Sequence, residues 1–180
     1  MDQSRNIIAR QLITLDEDAG SQKNFSTDLF FEIPINSSEA LLSISLLDSN
    51  NRFTTLRSVS LILLSEGQTQ IEGSKSETDW LTITQPQSGE VLSGGEVRVI
   101  GTVRPYVDEP IFIELVTDSG GQIGTRQLLV DQAGKTFSFD TLIPYQYINE
   151  IRDIRLIIRQ SDPKFGETII LDSIPIFLTP

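Results

Sequence analysis

From Trp80 onward apolar residues alternate with polar ones, as in Val97, Val99 and Val103, then Ile111, Ile113 and Leu115, then Phe137 and Phe139, then Ile154, Leu156 and Ile158, then Ile174, Ile176 and Leu178. A period of two marks strands with one buried face. Turn signals separate the runs at Pro86-Gln87-Ser88-Gly89, Ser93-Gly94-Gly95, Asp118-Ser119-Gly120-Gly121, Asp131-Gln132-Ala133-Gly134 and Asp162 to Gly166. The spacing is that of an antiparallel β-sandwich, with strands expected near 80–85, 96–103, 110–117, 123–130, 136–142, 153–160 and 168–178. No stretch long enough for a helix carries a helical stripe.

The first part of the chain repeats the last part. Arg10-Gln11-Leu12 matches Arg126-Gln127-Leu128, Ala19-Gly20 matches Ala133-Gly134, and Phe25-Ser26 with Asp28 matches Phe137-Ser138 with Asp140. The inward sets keep the same phase: Leu42, Ile44 and Leu46 fall on Ile154, Leu156 and Ile158, while Val59, Leu61 and Leu63 fall on Ile174, Ile176 and Leu178. A slip of one residue would turn every such side chain to the other face. Residues 66–79, Gly/Ser/Thr/Gln-rich with Ile71 as the single apolar residue, read as a linker. The expected organisation is therefore a partial unit at 1–65 holding the last four strands, a linker at 66–79, and a complete seven-stranded unit at 80–180.

At residues 81–101 an apolar strand leads to Pro86, Gly89, Val91 and Ser93, then to Val97, Val99 and Gly101, and a later strand of Ile111, Ile113 and Leu115 ends at an Asp118-x-Gly120 turn. This pattern resembles the opening of bacterial immunoglobulin-like domains of the Gmad2 type, which occur beside spore-germination proteins. The resemblance covers 80–180 and, through the repeat, part of 5–64. It implies a tandem immunoglobulin-like sandwich with an incomplete N-terminal copy. It also implies a non-catalytic, extracytoplasmic accessory module of a larger bacterial envelope protein, and it carries over no functional residues.

Composition removes much chemistry. The 180 residues include no His and no Cys, so imidazole bases, thiolate nucleophiles, Cys/His zinc sites and disulfides are excluded. A formal net charge of -11 disfavours nucleic-acid and anionic-lipid surfaces. The opening residues lack the apolar core of an export signal, and the run from Val59 to Leu64, broken by Ser60, is too short to span a bilayer.

The remaining motifs are weak. Gly134-Lys135-Thr136 lacks the first glycine of a phosphate-binding loop, since Leu129 stands there, and a strand pattern follows it where a helix would be needed. Gly120-Gly121 with Gly124 reads as a turn rather than a dinucleotide fingerprint. Asp16-Glu17-Asp18, with Asp48, Asn50 or Asn51, lacks the ligand spacing of a calcium loop, and Ser74-Lys75 sits in the linker. The expectation is no catalytic residue, no metal and no cofactor.

Two surfaces remain as binding candidates. Tyr106, Tyr145 and Tyr147 lie near expected strand ends, where rings stack on sugars, while Trp80, which opens the first strand at the linker, is expected to pack at the domain junction. The apolar set Leu42, Ile44, Leu46, Val59, Leu61 and Leu63 forms one face of a half-sandwich. Each side chain is worth roughly 1.5–3 kcal/mol on burial, so the face calls for a cover. The expected partner is protein: preceding residues, a second copy, or the 80–180 unit itself. The alternative ligand is a cell-wall glycan met by the tyrosines.

Overall fold

The computed structural model describes residues 6–14, 25–32, 37–66, 80–145, 150–164 and 166–180. Its strands are β1 (Ser37–Leu47), β2 (Phe53–Leu64), β3 (Leu81–Gln85), β4 (Val91–Leu92), β5 (Glu96–Val103), β6 (Ile111–Thr117), β7 (Gln122–Leu128), β8 (Phe137–Pro144), β9 (Arg152–Ser161) and β10 (Thr168–Leu178). Among the described residues there is no helix, and so none long and apolar enough to cross a membrane. The chain forms two compact units, Met1–Leu42 with Val59–Ile71, and Ser43–Ser58 with Glu72–Pro180.

The larger unit is a β-sandwich. One sheet runs β3-β5-β8, and the other runs β2-β10-β9-β6-β7 with β1 beyond β2. All pairings shown are antiparallel except β4, which runs parallel to the end of β10. The chain leaves β3 at Pro86 and crosses to the second sheet. There Gly89 N–H donates to Pro175 O at 2.8 Å and Phe177 N–H to Glu90 O at 2.8 Å.

The alternation read from the sequence is the alternation of burial. Val97, Val99, Val103, Phe139 and Ile143 from one sheet enclose a core with Ile111, Ile113, Leu115, Ile154, Leu156, Ile158, Ile176 and Leu178 from the other. Aliphatic and β-branched side chains fill a layer about 10 Å thick between two pleated faces. Replacing Leu156, which is fully buried, with alanine is expected to cost about 3 kcal/mol, read as a lower urea midpoint at unchanged slope.

In the N-terminal part the described residues give two observations. Of the four strands expected in 1–65, the described residues form two, β1 and β2, whereas 6–14 and 25–32 carry no strand. Matching residue types keep the phase of a strand, but a strand also needs a backbone partner. Ser43–Ser58 falls in the same compact unit as the sandwich. The pairs Ile170↔Arg57, Leu171↔Leu56 and Asp172↔Thr55 make β2 an added strand on β10. Of the expected linker, residues 67–79 lie outside the described residues.

Candidate interaction surface

The hairpin turn that closes β1 onto β2 is Asp48-Ser49-Asn50-Asn51-Arg52, a run of turn formers in which Asn51 takes φ 60. Asp48 organises it. Its Oδ1 accepts the backbone N–H groups of Asn50 and Arg52, each at 2.9 Å, and its Oδ2 accepts Arg52 Nε at 2.8 Å. The same Oδ2 receives Arg155 Nη2 at 2.9 Å from β9, on the face of that strand turned away from the core. Arg52 Nη1 reaches on to Asp118 in the turn between β6 and β7. The hairpin tip thus lies over the outer face of the sheet, where a carboxylate and two guanidinium groups alternate.

Beside this latch, Ser173 Oγ accepts Arg155 Nη1 at 3.1 Å and lies 3.1 Å from the carbonyl of Phe53 and 3.3 Å from that of Thr54. One hydroxyl proton serves those two carbonyls. Further along β10, Arg57 Nη2 pairs with Asp172 Oδ2 at 2.8 Å while its Nη1 donates to Leu171 O at 3.0 Å. The guanidinium also stands 5.7 Å from the centroid of the Trp80 ring, and Trp80 Nε1 donates to Asp172. Trp80 is buried, just before β3. The contact therefore combines a short backbone ladder with three Arg–carboxylate pairs. Charged hydrogen bonds of this kind are stronger than neutral ones and are sensitive to pH.

The carboxyl of Asp48 is held down to about 2 from 3.8, first by the Arg52 backbone N–H and then, against some desolvation, by the Arg52 side chain and the Asn50 amide. A carboxylate with a depressed folded-state value contributes stability that is complete above pH 3.8 and lost as pH falls through about 2. The latch is therefore expected to release within that window. Trp80, the chain's one tryptophan, reports it through its fluorescence. In Asp48→Asn the change between pH 3.8 and 2 is expected to vanish from the titration.

The apolar set stands as follows. Ile44, Leu46 and Val59 are 51%, 48% and 53% exposed, while Leu42, Leu61 and Leu63 are partly exposed. Their counterparts in the repeat, Leu156, Ile158 and Ile174, lie on β9 and β10, and the first two are fully buried. Ser43 and Ser58 share the opposite face, with their hydroxyls 2.7 Å apart.

The tyrosines are not brought together. Tyr106 follows the end of β5 and is half exposed. Tyr145 lies beside the start of β5, where its hydroxyl accepts Gly95 N–H at 3.1 Å and its own N–H donates to Gly95 O at 3.0 Å. The eight residues of β5 separate them by about 25 Å. Tyr147 lies outside the described residues, as do Asp16, Glu17 and Asp18. Asp48, a candidate ligand in that acidic group, is engaged by Arg52 and Arg155. No group of three or more carboxylates poised for a metal occurs among the described residues.

Sequence reasoning did not single out Arg52, Arg57, Arg155 or Asp172. The available signals were an Asp four residues before an Arg across a Ser-Asn-Asn turn, and an arginine interrupting an aliphatic strand at Ile154-Arg155-Leu156. Compared with known proteins, the chain matches no family model and no curated protein.

Proposed function

We propose that the chain is a non-catalytic immunoglobulin-like module of the Gmad2 type, acting as a spacer or protein-interaction domain in a larger extracytoplasmic protein of the bacterial envelope. The observation that supports the immunoglobulin-like part of this reading is the strand order of the sandwich. β3, β5 and β8 stand in the places of strands A, B and E of an immunoglobulin domain. β6, β9 and β10 stand in those of C, F and G, with β7 beyond β6 as C′ lies beyond C. The switch of the first strand from β3 to β4 fits the same scheme.

The interaction role draws on strand addition. The domain accepts β2 on the free edge of β10, and main-chain pairing with a few side-chain anchors is a general way for sheets to take a partner segment. Its conspicuous arginines serve packing: Arg159 forms a forked pair with Glu114 at 3.0 and 2.8 Å and lies 5.0 Å from the centroid of the Phe112 ring. The extracytoplasmic setting comes from the sequence resemblance. The test is labelling with a membrane-impermeant amine reagent in cells that make the protein, after permeabilising any outer membrane. The protein is expected to be labelled before lysis, and labelling only after lysis overturns the reading. For the alternative ligand, a cell-wall glycan, Tyr106 is, among the described candidate tyrosines, the half-exposed ring available to stack. Binding lost in Tyr106→Ala and kept in Tyr145→Ala favours it.

A further inference from the structure

The loop from β7 to β8, residues 129–136, is pinned by its neighbour. Ala133 N–H donates to Asp108 Oδ1 at 2.6 Å, Gly134 N–H to Pro105 O at 2.7 Å, and Arg104 Nε to Gly134 O at 3.0 Å. The loop that supplies those partners, 104–110, is held in turn by buried Gln160, whose side-chain amide accepts from Tyr106 N–H and donates to the carbonyls of Val107 and Glu109. Loops fixed on a rigid scaffold are where binding groups concentrate.

Between this loop and the first residue of β8 lies a pocket of about 150 Å³, lined by Leu129, Asp131, Gln132, Lys135 and Phe137. Leu129, 77% exposed, and the partly buried Phe137 give it an apolar side. The other three bring a carboxylate, an amide and an ammonium. Among the described residues no hydrogen bond or ion pair engages any of these three side chains. Arg98, Arg155 and Arg159, by contrast, each meet a carboxylate of the protein itself. A backbone fixed from outside the loop thus presents three polar groups whose hydrogen-bonding capacity the described residues leave unused.

Their chemistry narrows the ligand. An anion drawn to Lys135 meets Asp131, and a cation drawn to Asp131 meets Lys135, so an ion of either sign gains little. A neutral group with both donors and acceptors gains from both: its hydroxyls donate to Asp131, accept from Lys135 and do either with Gln132. Leu129 and Phe137 suit the C–H face of a ring. A volume of about 150 Å³ is half the roughly 300 Å³ at which pockets for drug-sized ligands begin, so one ring fits and the rest of its chain stays outside. We propose that this pocket binds a single neutral sugar ring of a longer glycan. This rests on the glycan reading of the module and gives that ligand a site that Tyr106 does not line.

The test is titration of the full chain with chitotetraose and with cellotetraose, both neutral, read by backbone amide chemical shifts. At least one of them, at millimolar concentration, is expected to give shifts centred on residues 129–137. Asp131→Ala and Lys135→Ala are each expected to weaken that binding about tenfold or more by removing a charged hydrogen bond. Their thermal midpoints are expected to stay unchanged, because neither side chain holds the loop. Arg98→Ala, on the outer face of β5, is expected to bind as the unmodified protein does. Sodium acetate and methylammonium chloride are expected to leave the same amides in place, and equal shifts with either salt would overturn the proposal by showing a site for charge alone. Shifts from neither sugar also overturn it. Sugar binding that survives both loop substitutions but is lost in Tyr106→Ala overturns this pocket and leaves the glycan reading standing.

Discussion

Gln160→Leu is expected to destabilise the sandwich by about 4 kcal/mol, a large part of the roughly 5–15 kcal/mol available to a domain. Gln160 is fully buried at the end of β9. Its Oε1 accepts Tyr106 N–H at 2.8 Å and, more weakly, Val107 N–H at 3.4 Å. Its Nε2 donates to Val107 O at 2.8 Å and to Glu109 O at 2.6 Å. A leucine of similar volume removes every one of these and leaves main-chain groups between β5 and β6 without partners. Each buried group stranded in this way costs about 1–3 kcal/mol, and some regain water as the segment loosens, which keeps the total below the full sum. Urea unfolding measures the loss. Faster amide exchange confined to residues 104–110 distinguishes it from general loosening of the core.

Gly101→Ala is expected to cost about 3 kcal/mol or more by overpacking. A Cβ on Gly101 would stand 2.4 Å from the carbonyl oxygen of Thr82 and 2.9 Å from Cζ of Phe139. The Phe139 ring has some room to turn, whereas the Thr82 carbonyl belongs to β3, whose Ile83 is paired with Gly101 itself. Relief of the ring contact therefore leaves the backbone clash in place. The double variant Gly101→Ala with Phe139→Leu is expected to stay as unstable as Gly101→Ala or worse. Recovery of stability in the double variant would show that β3 gives way easily.

These two sites differ in how visible they are from sequence. Gly101 closes the Val97-x-Val99-x-Gly101 run, and its position in strand phase already turns it toward the core. Gln160 ends an aliphatic strand in the same phase as Ile158, yet nothing in the alternation tells which loop it holds. Strands β5, β6, β8, β9 and β10 were legible because a buried face imprints a period of two on each. β4 was not, since Val91-Leu92 is too short to show a period.

The limits of pattern are plainest in the N-terminal part. Ile44 and Leu156 occupy equivalent places in the repeat, but Leu156 is buried between two sheets and Ile44 is half exposed. Alternation records which face a side chain takes, whereas burial depends on what stands opposite it. The joining of β2 to β10 was likewise hidden, because the ladder is made by backbone groups that every residue shares. The side chains that secure it, Arg155 and Asp48, lie 107 positions apart. Tyr106 and Tyr145, alike in sequence as aromatic residues near strand ends, lie at opposite ends of β5.

Residues 43–58 extend the larger sheet at β10. The direct measurement is disulfide formation in the Leu56→Cys, Leu171→Cys pair, placed on facing residues of the two strands. Facing positions of an antiparallel pair lie within disulfide reach. The expected result is rapid closure within a single chain, with little closure when the second cysteine is moved to Pro175. No closure in the first pair, or equal closure in both, would contradict the added strand.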